Sequence, residues 1–201
     1  MATPRPLTKS SIRRAERHLR GSDSVMAGLI ERHGPCALTA ARERDFFGSL
    51  ALSIVSQQLS TKAAAEIARR LLETVPEFDA KMLAKTDDVV LRTAGLSGSK
   101  ARYVRNLAFA VISGSLDLEV LPKLSDEDVV GSLTSISGIA PWTAQMFLIF
   151  SLKRPNVLSP GDGGLRRAAL SLYGIELEEV SENWRPFRSV ASWYLWRHLD
   201  G

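Results

Sequence analysis

The chain has 201 residues, 45% hydrophobic and 24% charged, which is enough apolar side chain for one ample core or two small lobes and excludes disorder as the default. Its formal charge of +4 favours a polyanionic partner, although a solvated basic surface accounts for it equally well. One cysteine, Cys36, excludes an internal disulfide, a four-thiolate zinc site and an iron–sulfur cluster, and no apolar run approaches the roughly 20 residues that span a bilayer, so an intracellular protein (cytoplasm, nucleoid or nucleus) is expected.

Residues 1–7 read as a loose tail, and Thr8 or Ser10 is placed to cap a helix running to about Leu19. Asp23 to His33 carries apolar residues at helical spacing and stops at Gly34-Pro35. Arg44 to Gln58 is apolar over much of its circumference, as a central helix should be, and it ends in the polar cluster Ser56-Gln57-Gln58. After Leu59, Ser60 or Thr61 caps a helix over Lys62 to Val75. Two short helices follow, Asp79 to Lys85 and Thr86 to Thr93, then the turn GLSGS and a helix from Lys100 to about Ser113. Ser125 heads the next, with acidic residues in its first turn where the helix dipole favours them. Pro141 stands where a first helical residue tolerates proline, and that helix ends near Leu152. The loop KRPNVLSPGDGG precedes Leu165 to Tyr173, and the last helix runs from Pro186 to about His198. No stretch alternates as a strand should, so the fold class read here is all-α.

The turn in SISGIAPWTAQ, residues 135–145, puts Gly138 and Pro141 between two helices. Such a turn either reverses the chain for packing or presents unpaired amides at the start of the second helix to an anion, and the residues leave both readings open. AGLSGSKA, ending at Ala101, echoes SGIAPWTA, ending at Ala144: each places glycine, an apolar and a small residue before a new helix. About twenty residues after the second turn comes Ser159-Pro160-Gly161-Asp162-Gly163-Gly164, a carboxylate in a loop ahead of a helix. An N-cap is one role for Asp162; it is compatible with catalysis and favours the ionised form.

LTSISGIAPWTAQMFLIF followed by VLSPGDGGLRRA resembles the signature of the helix–hairpin–helix DNA glycosylase superfamily. Trp142, RPFRSVASWYLWR, SQQLSTKAA and GLSGSKARYVRNLA are similar to its 3-methyladenine DNA glycosylase II (AlkA-like) branch, over roughly residues 43 to 200. The resemblance implies a two-lobed helical bundle formed by one domain over residues 1–201, with the hairpin motif at about 126–152 and an active-site cleft between the lobes. It implies a monomer acting on double-stranded DNA that contains damaged bases: the base is flipped out of the stack and its N-glycosidic bond hydrolysed, as the first step of base excision repair. Asp162 is then the catalytic carboxylate, stabilising an oxocarbenium-like transition state. Trp142 occupies the first turn after the hairpin, where bifunctional relatives carry a Schiff-base lysine, so no lyase activity is expected.

By the same resemblance Trp142, Met146 and Trp196 line the base pocket, where electron-rich rings suit a cationic alkylated purine. Trp193 is either a neighbour of Trp196 in that pocket or core, because Phe187, Val190, Ala191, Tyr194 and His198 share the other face of the last helix. Gln58, beside Leu59, falls at the position of the side chain that fills the gap left by the flipped base. Gly138, Ala140 and Thr143 fall at the phosphate grip, and Lys100, in the echoing turn, is a further phosphate candidate. The backbone carbonyls of Thr134, Ile136 and Ile139 match those that hold a monovalent cation, Na+ or K+, in this superfamily; no other cofactor is required.

The chain departs from the family pattern in three ways. Ala140 replaces a second hairpin glycine and is tolerable only if its φ is negative. Gly163-Gly164 follow the catalytic position, where the family often has a larger side chain, which implies a more open or more mobile pocket, and there is no room for the extra N-terminal β domain of some relatives. His18, His33 and His198 show no metal-ligand spacing. The alternative function is a non-catalytic damaged-DNA-binding protein of the same fold; a carboxylate together with Trp142 and Trp196 favours the enzyme.

Overall fold

The computed structural model describes residues 5–39 and 45–201. Their regular elements are all α-, 3₁₀- or π-helical, and none of these residues forms a strand. In chain order the α-helices are α1 (Lys9–Ser22), α2 (Ser24–His33), α3 (Phe46–Ser56), α4 (Thr61–Thr74), α5 (Ala80–Lys85), α6 (Asp88–Thr93), α7 (Gly98–Ile112), α8 (Asp126–Thr134), α9 (Pro141–Met146), α10 (Gly163–Tyr173), α11 (Leu177–Ser181) and α12 (Arg188–Leu199). Their starts are written in the sequence. Thr8, Asp23, Asp45, Ser60, Asp79, Asp87, Ser97, Ser125 and Asp162 each accept an amide two or three residues on, a cap worth about 1 kcal/mol apiece. The start of α9 lacks such a side chain, because Ala140 stands in the cap position.

The chain divides into two compact units, Met1–Arg42 with Leu148–Gly201, and Glu43–Phe147. In the first, α10 and α2 pack on α12, and α1 packs on α2. Ser189, Val190, Ala191, Ser192, Tyr194 and Leu195 of α12 are all buried, so the helix is covered around most of its circumference rather than on the single face its sequence suggests. His198, expected on that face, is only partly covered. Two carboxylates gather polar groups in this unit: Asp23 accepts from Met26 N (2.9 Å), Tyr173 Oη (2.9 Å) and Trp184 Nε1 (2.8 Å). Glu16 Oε1 accepts from Cys36 N (2.8 Å) and Tyr194 Oη (2.9 Å). Burial pushes the neighbouring Cys36 thiol up to about 12.

In the second unit α3 packs against α4 and α7, α5 and α6 also lie on α7, and α8 packs on α9. Leu50, Ile54, Leu71, Leu83, Leu91 and Val104 are fully buried between them. Each removes most of a side chain from water, about 1.5–3 kcal/mol apiece.

Several boundaries differ from expectation for identifiable reasons. The supposed tail is anchored at its end: Leu7 is buried and its amide donates to Lys153 O at 2.8 Å. Residues 1–4 of that tail and Arg44, expected to open α3, lie outside the described residues. α10 starts two residues earlier than expected, at Gly163, because Asp162 caps it, and α12 starts at Arg188 rather than Pro186. Past Met146 the backbone continues in a wider π-type turn over Phe147–Ser151, so the helix opened by Pro141 does not run uniformly to Leu152. α11 went unread in the sequence because its five residues are too few for a period to show. No helix of the described residues is long and apolar enough to cross a membrane.

Candidate functional site

In the turn after α8 the packing reading of SISGIAPWTAQ has a local basis. Gly138 takes φ 105°, and a Cβ there would fall onto the Tyr103 ring, so both conformation and contact require glycine. Ile139 is buried as the anchor of the turn, and its amide donates to Ile136 O at 3.0 Å. Ala140 has φ −87° and ψ 164°, an extended conformation open to any residue, so the missing second glycine costs nothing. The sequence echo is structural as well. Gly95 has φ 107°, Leu96 is buried like Ile139, and Ser97 caps α7 where Ala140 stands before α9. The second unit therefore holds two helix–hairpin–helix elements, α6–α7 and α8–α9.

Both hairpins line one groove of about 580 Å³, formed by Gln57 and Gln58 at the end of α3, Ser97, Ser99, Lys100 and Tyr103 of the first hairpin, and Thr134, Ile136, Gly138, Ile139 and Ala140 of the second. No lining residue is acidic, which suits an anionic guest. Trp142 is exposed on the first turn of α9, while Thr143 and Met146 are buried. Gln58 and Leu59 are exposed, and Gln58 takes φ 57°, left-handed for a residue that is not glycine.

Two residues of this groove differ from the sequence reading. Lys100 does not project as a lone cation: its Nζ donates to Val55 O and Gln57 O, each at 2.7 Å, closing the last carbonyls of α3, and burial lowers its ammonium from the usual value. Gln57 reads in sequence only as one member of the polar cluster that ends α3. Its Nε2 donates to Gly138 O at 3.0 Å and to Thr143 Oγ1 at 3.1 Å, which binds the end of α3 to the second hairpin. Only its place between Ser56 and Gln58 hinted at this.

The other unit holds the carboxylate. Asp162, 9% exposed, caps α10: its Oδ1 accepts from Leu165 N at 2.8 Å and from Trp196 Nε1 at 3.2 Å. α12 thus brings Trp196 to Asp162 by its indole N–H, beyond the aromatic wall the sequence suggested. Phe150 lies over Trp196 at 5.6 Å between ring centroids, tilted by 33°, and is itself exposed. It was missed, because an aromatic inside FLIF reads as core. Trp193 is half-buried and sets its edge against Tyr194 at 4.9 Å, with no hydrogen bond to Asp162. The two glycines after Asp162 are unequal. A Cβ on Gly163 would make only ordinary contact with Arg167, whereas one on Gly164 would lie 3.1 Å from Asp162 Oδ1 and 3.4 Å from Leu199. The extra room expected from the pair is therefore present at Gly163 and absent at Gly164.

A family model for the HhH-GPD superfamily of base excision DNA repair proteins matches residues 51–186, from α3 through both hairpins and Asp162 to the edge of α12. The chain belongs to this superfamily. DNA-3-methyladenine glycosylase 1 of Schizosaccharomyces pombe is 32% identical over 200 residues, covering 94% of this chain and 88% of that one. A solved 3-methyladenine DNA glycosylase of the same yeast, in complex with abasic DNA, superposes with a TM-score of 0.86 at 31% identity over 94% of this chain and 97% of that one. The DNA-3-methyladenine glycosidase of Bacillus halodurans superposes with a TM-score of 0.78 at 38% identity, covering 91% and 88%. In this HhH-GPD chain the matched segment contains Lys100, Gln57, the hairpin and Asp162, whereas Trp193 and Trp196 lie just beyond it.

No group of three or more His, Cys, Asp or Glu among the described residues is arranged to hold a metal ion. For the monovalent cation the fit is different in kind: Thr134, Ile136 and Ile139 all line the groove, and neutral carbonyl oxygens suit an alkali cation. Ile136 O already accepts one amide and keeps a second lone pair for such a contact.

Proposed function

We propose that residues 1–201 act as one intracellular, monomeric DNA glycosylase of the 3-methyladenine II type, which flips alkylated bases from duplex DNA and hydrolyses their N-glycosidic bond without lyase activity. The observation that carries this reading is Asp162, fixed at the start of α10 and by Trp196 Nε1, in a chain about a third identical to enzymes called 3-methyladenine glycosylases.

In the proposed mechanism the second hairpin grips a phosphate through the amides around Gly138, Ala140 and Thr143, a contact indifferent to sequence. A Na+ or K+ held by the carbonyls of Thr134, Ile136 and Ile139 would add positive charge to that grip. Gln58, with Leu59 beside it, enters the stack in place of the flipped base. Trp142 and Met146 on α9, and Trp196 on α12, offer apolar and electron-rich surface to the extruded ring. A base carrying positive charge from alkylation is both a better guest for such rings and a better leaving group. As the bond to it breaks, positive charge builds on the sugar, and the Asp162 carboxylate stabilises it and orients the attacking water. Trp193 supports Trp196 from the same helix. The first turn of α9, Pro141-Trp142-Thr143, carries no amine to attack the sugar, which supports a reaction that stops at the abasic site.

The test is release of bases from methylated duplex DNA by the purified protein and by Asp162→Asn. Asparagine still caps a helix, so the variant should fold with nearly unchanged stability while release falls by about 100-fold or more. Strand breaks should appear only after alkali. Breaks without alkali would instead establish a lyase, and binding of lesion DNA without release by the wild type would leave a damage-binding protein.

A further inference from the structure

The segment leaving α3 is held from two sides. Lys100, in the first turn of α7, takes the carbonyls of Val55 and Gln57 on one ammonium, both at 2.7 Å. Gln57 in turn reaches the second hairpin with both its amide hydrogens directed at oxygens, Gly138 O at 3.0 Å and Thr143 Oγ1 at 3.1 Å. Gln57 is therefore fixed through its backbone by the first hairpin and through its side chain by the second. The next residue, Gln58, is exposed, has no hydrogen-bond partner among the described residues, and sits at φ 57°. Such a backbone is unfavourable in a non-glycine residue and persists only where its surroundings over-determine it.

We propose that Lys100 and Gln57 are positioning residues, a brace that sets where Gln58 enters the base stack relative to the phosphate held by the second hairpin. The proposal rests on the reading of Gln58 as the gap-filling residue. The brace explains why a lysine lining an acid-free groove turns its charge inward. An ammonium over two helix-end carbonyls stiffens the turn that follows them, whereas the same ammonium on a phosphate would add affinity and leave Gln58 loose. It also explains why a glutamine precedes the wedge: a primary amide supplies two donors, and the turn presents two oxygens to them. The four hydrogen bonds of the brace all lie within the hairpin unit, among Val55, Gln57, Lys100, Gly138 and Thr143, so its effect falls on the flipping step, whose cost depends on whether the base starts out stacked and paired.

The experiment compares base release from one alkylated purine in two settings, paired within a duplex and placed in a short unpaired bubble of the same duplex. The variants are Gln57→Met, which keeps the length and removes both donors without adding charge, and Lys100→Met, which keeps the stem and removes the charge. Each should lower the paired rate by about tenfold or more and leave the bubble rate near wild type, with Lys100→Arg recovering part of the loss. The slope of log affinity against log salt should be unchanged in Lys100→Met, since no phosphate loses a partner.

Equal loss in both settings would make the pair a general support of the fold and overturn the brace. So would an unchanged paired rate, and a salt slope reduced by about one would return Lys100 to the phosphate. If the wild type releases nothing from either substrate, the glycosylase reading falls and takes the brace with it. If the wild type releases bases from both and the variants match it, only the brace falls. Should Lys100→Met fail to fold, Gln57→Met decides alone.

Discussion

At the scale of single residues, the carboxylate site depends on what is left out of it as much as on what is present. Gly164 has an ordinary helical backbone, so its lack of a side chain matters for space: a methyl there would press on Asp162 Oδ1 and the edge of Leu199. Gly164→Ala should therefore displace the carboxylate by a few tenths of an ångström and lower the rate of base release by about tenfold or more, with little change in DNA affinity. Stability should fall little or even rise, since alanine favours a helix over glycine by about 1 kcal/mol. Single-turnover release and a urea titration on the same variant separate the two effects. Loss of stability with unchanged release would show that the gap serves packing. Gly163, which faces only Arg167, is the control, and Gly163→Ala should leave release unaltered.

At the scale of elements, the hairpin is legible in sequence and its fastening is not. Gly138→Ala would require a positive φ of a residue with a side chain and push the Tyr103 ring aside, a cost of about 2 kcal/mol or more. We expect a lower urea midpoint and weaker duplex binding at once, measured by denaturation and by fluorescence anisotropy; unchanged binding would detach this turn from DNA. Most helix starts were readable because their caps are Ser, Thr or Asp, which reveal themselves one residue before an apolar pattern begins. Gly95 and Gly138 were readable because two similar turns reinforce each other. Lys100 and Gln57 were not, since a sequence cannot tell which carbonyl oxygens lie within reach of a long polar side chain. The same holds for Trp196: its helical spacing marked an aromatic face, but only the packing of α12 on α10 brings its indole N–H to Asp162. Phe150 was hidden by the run of apolar residues around it.

At the scale of the molecule, stability should depend on pH in the alkaline range. The Cys36 thiol rises from 9.0 to about 12, chiefly by burial, and burial likewise raises the phenols of Tyr194 and Tyr173, with Glu16 and Asp23 beside them. All three lose their protons more easily in the unfolded chain. The stability that Cys36 contributes is thus complete below pH 9 and lost as pH rises towards 12. The urea midpoint should fall steadily above pH 9, and Cys36→Ala should flatten the early part of that fall. A wild-type midpoint that stays level to pH 11 would refute the buried thiol.

One unit is continuous, Glu43–Phe147, whereas the other is assembled from Met1–Arg42 and Leu148–Gly201. During synthesis the hairpin unit is complete while the partners of α1 and α2 are still unmade. Asp23 must wait for Tyr173 and Trp184, and Glu16 for Tyr194, so those carboxylates are fully paired only once residues 173–194 have been made. At about 5–20 residues per second the interval lasts several seconds. At its start a nascent chain carries both hairpins without Asp162, and Trp196, which fixes that carboxylate, comes later still, so the part proposed to grip DNA precedes the part proposed to release a base.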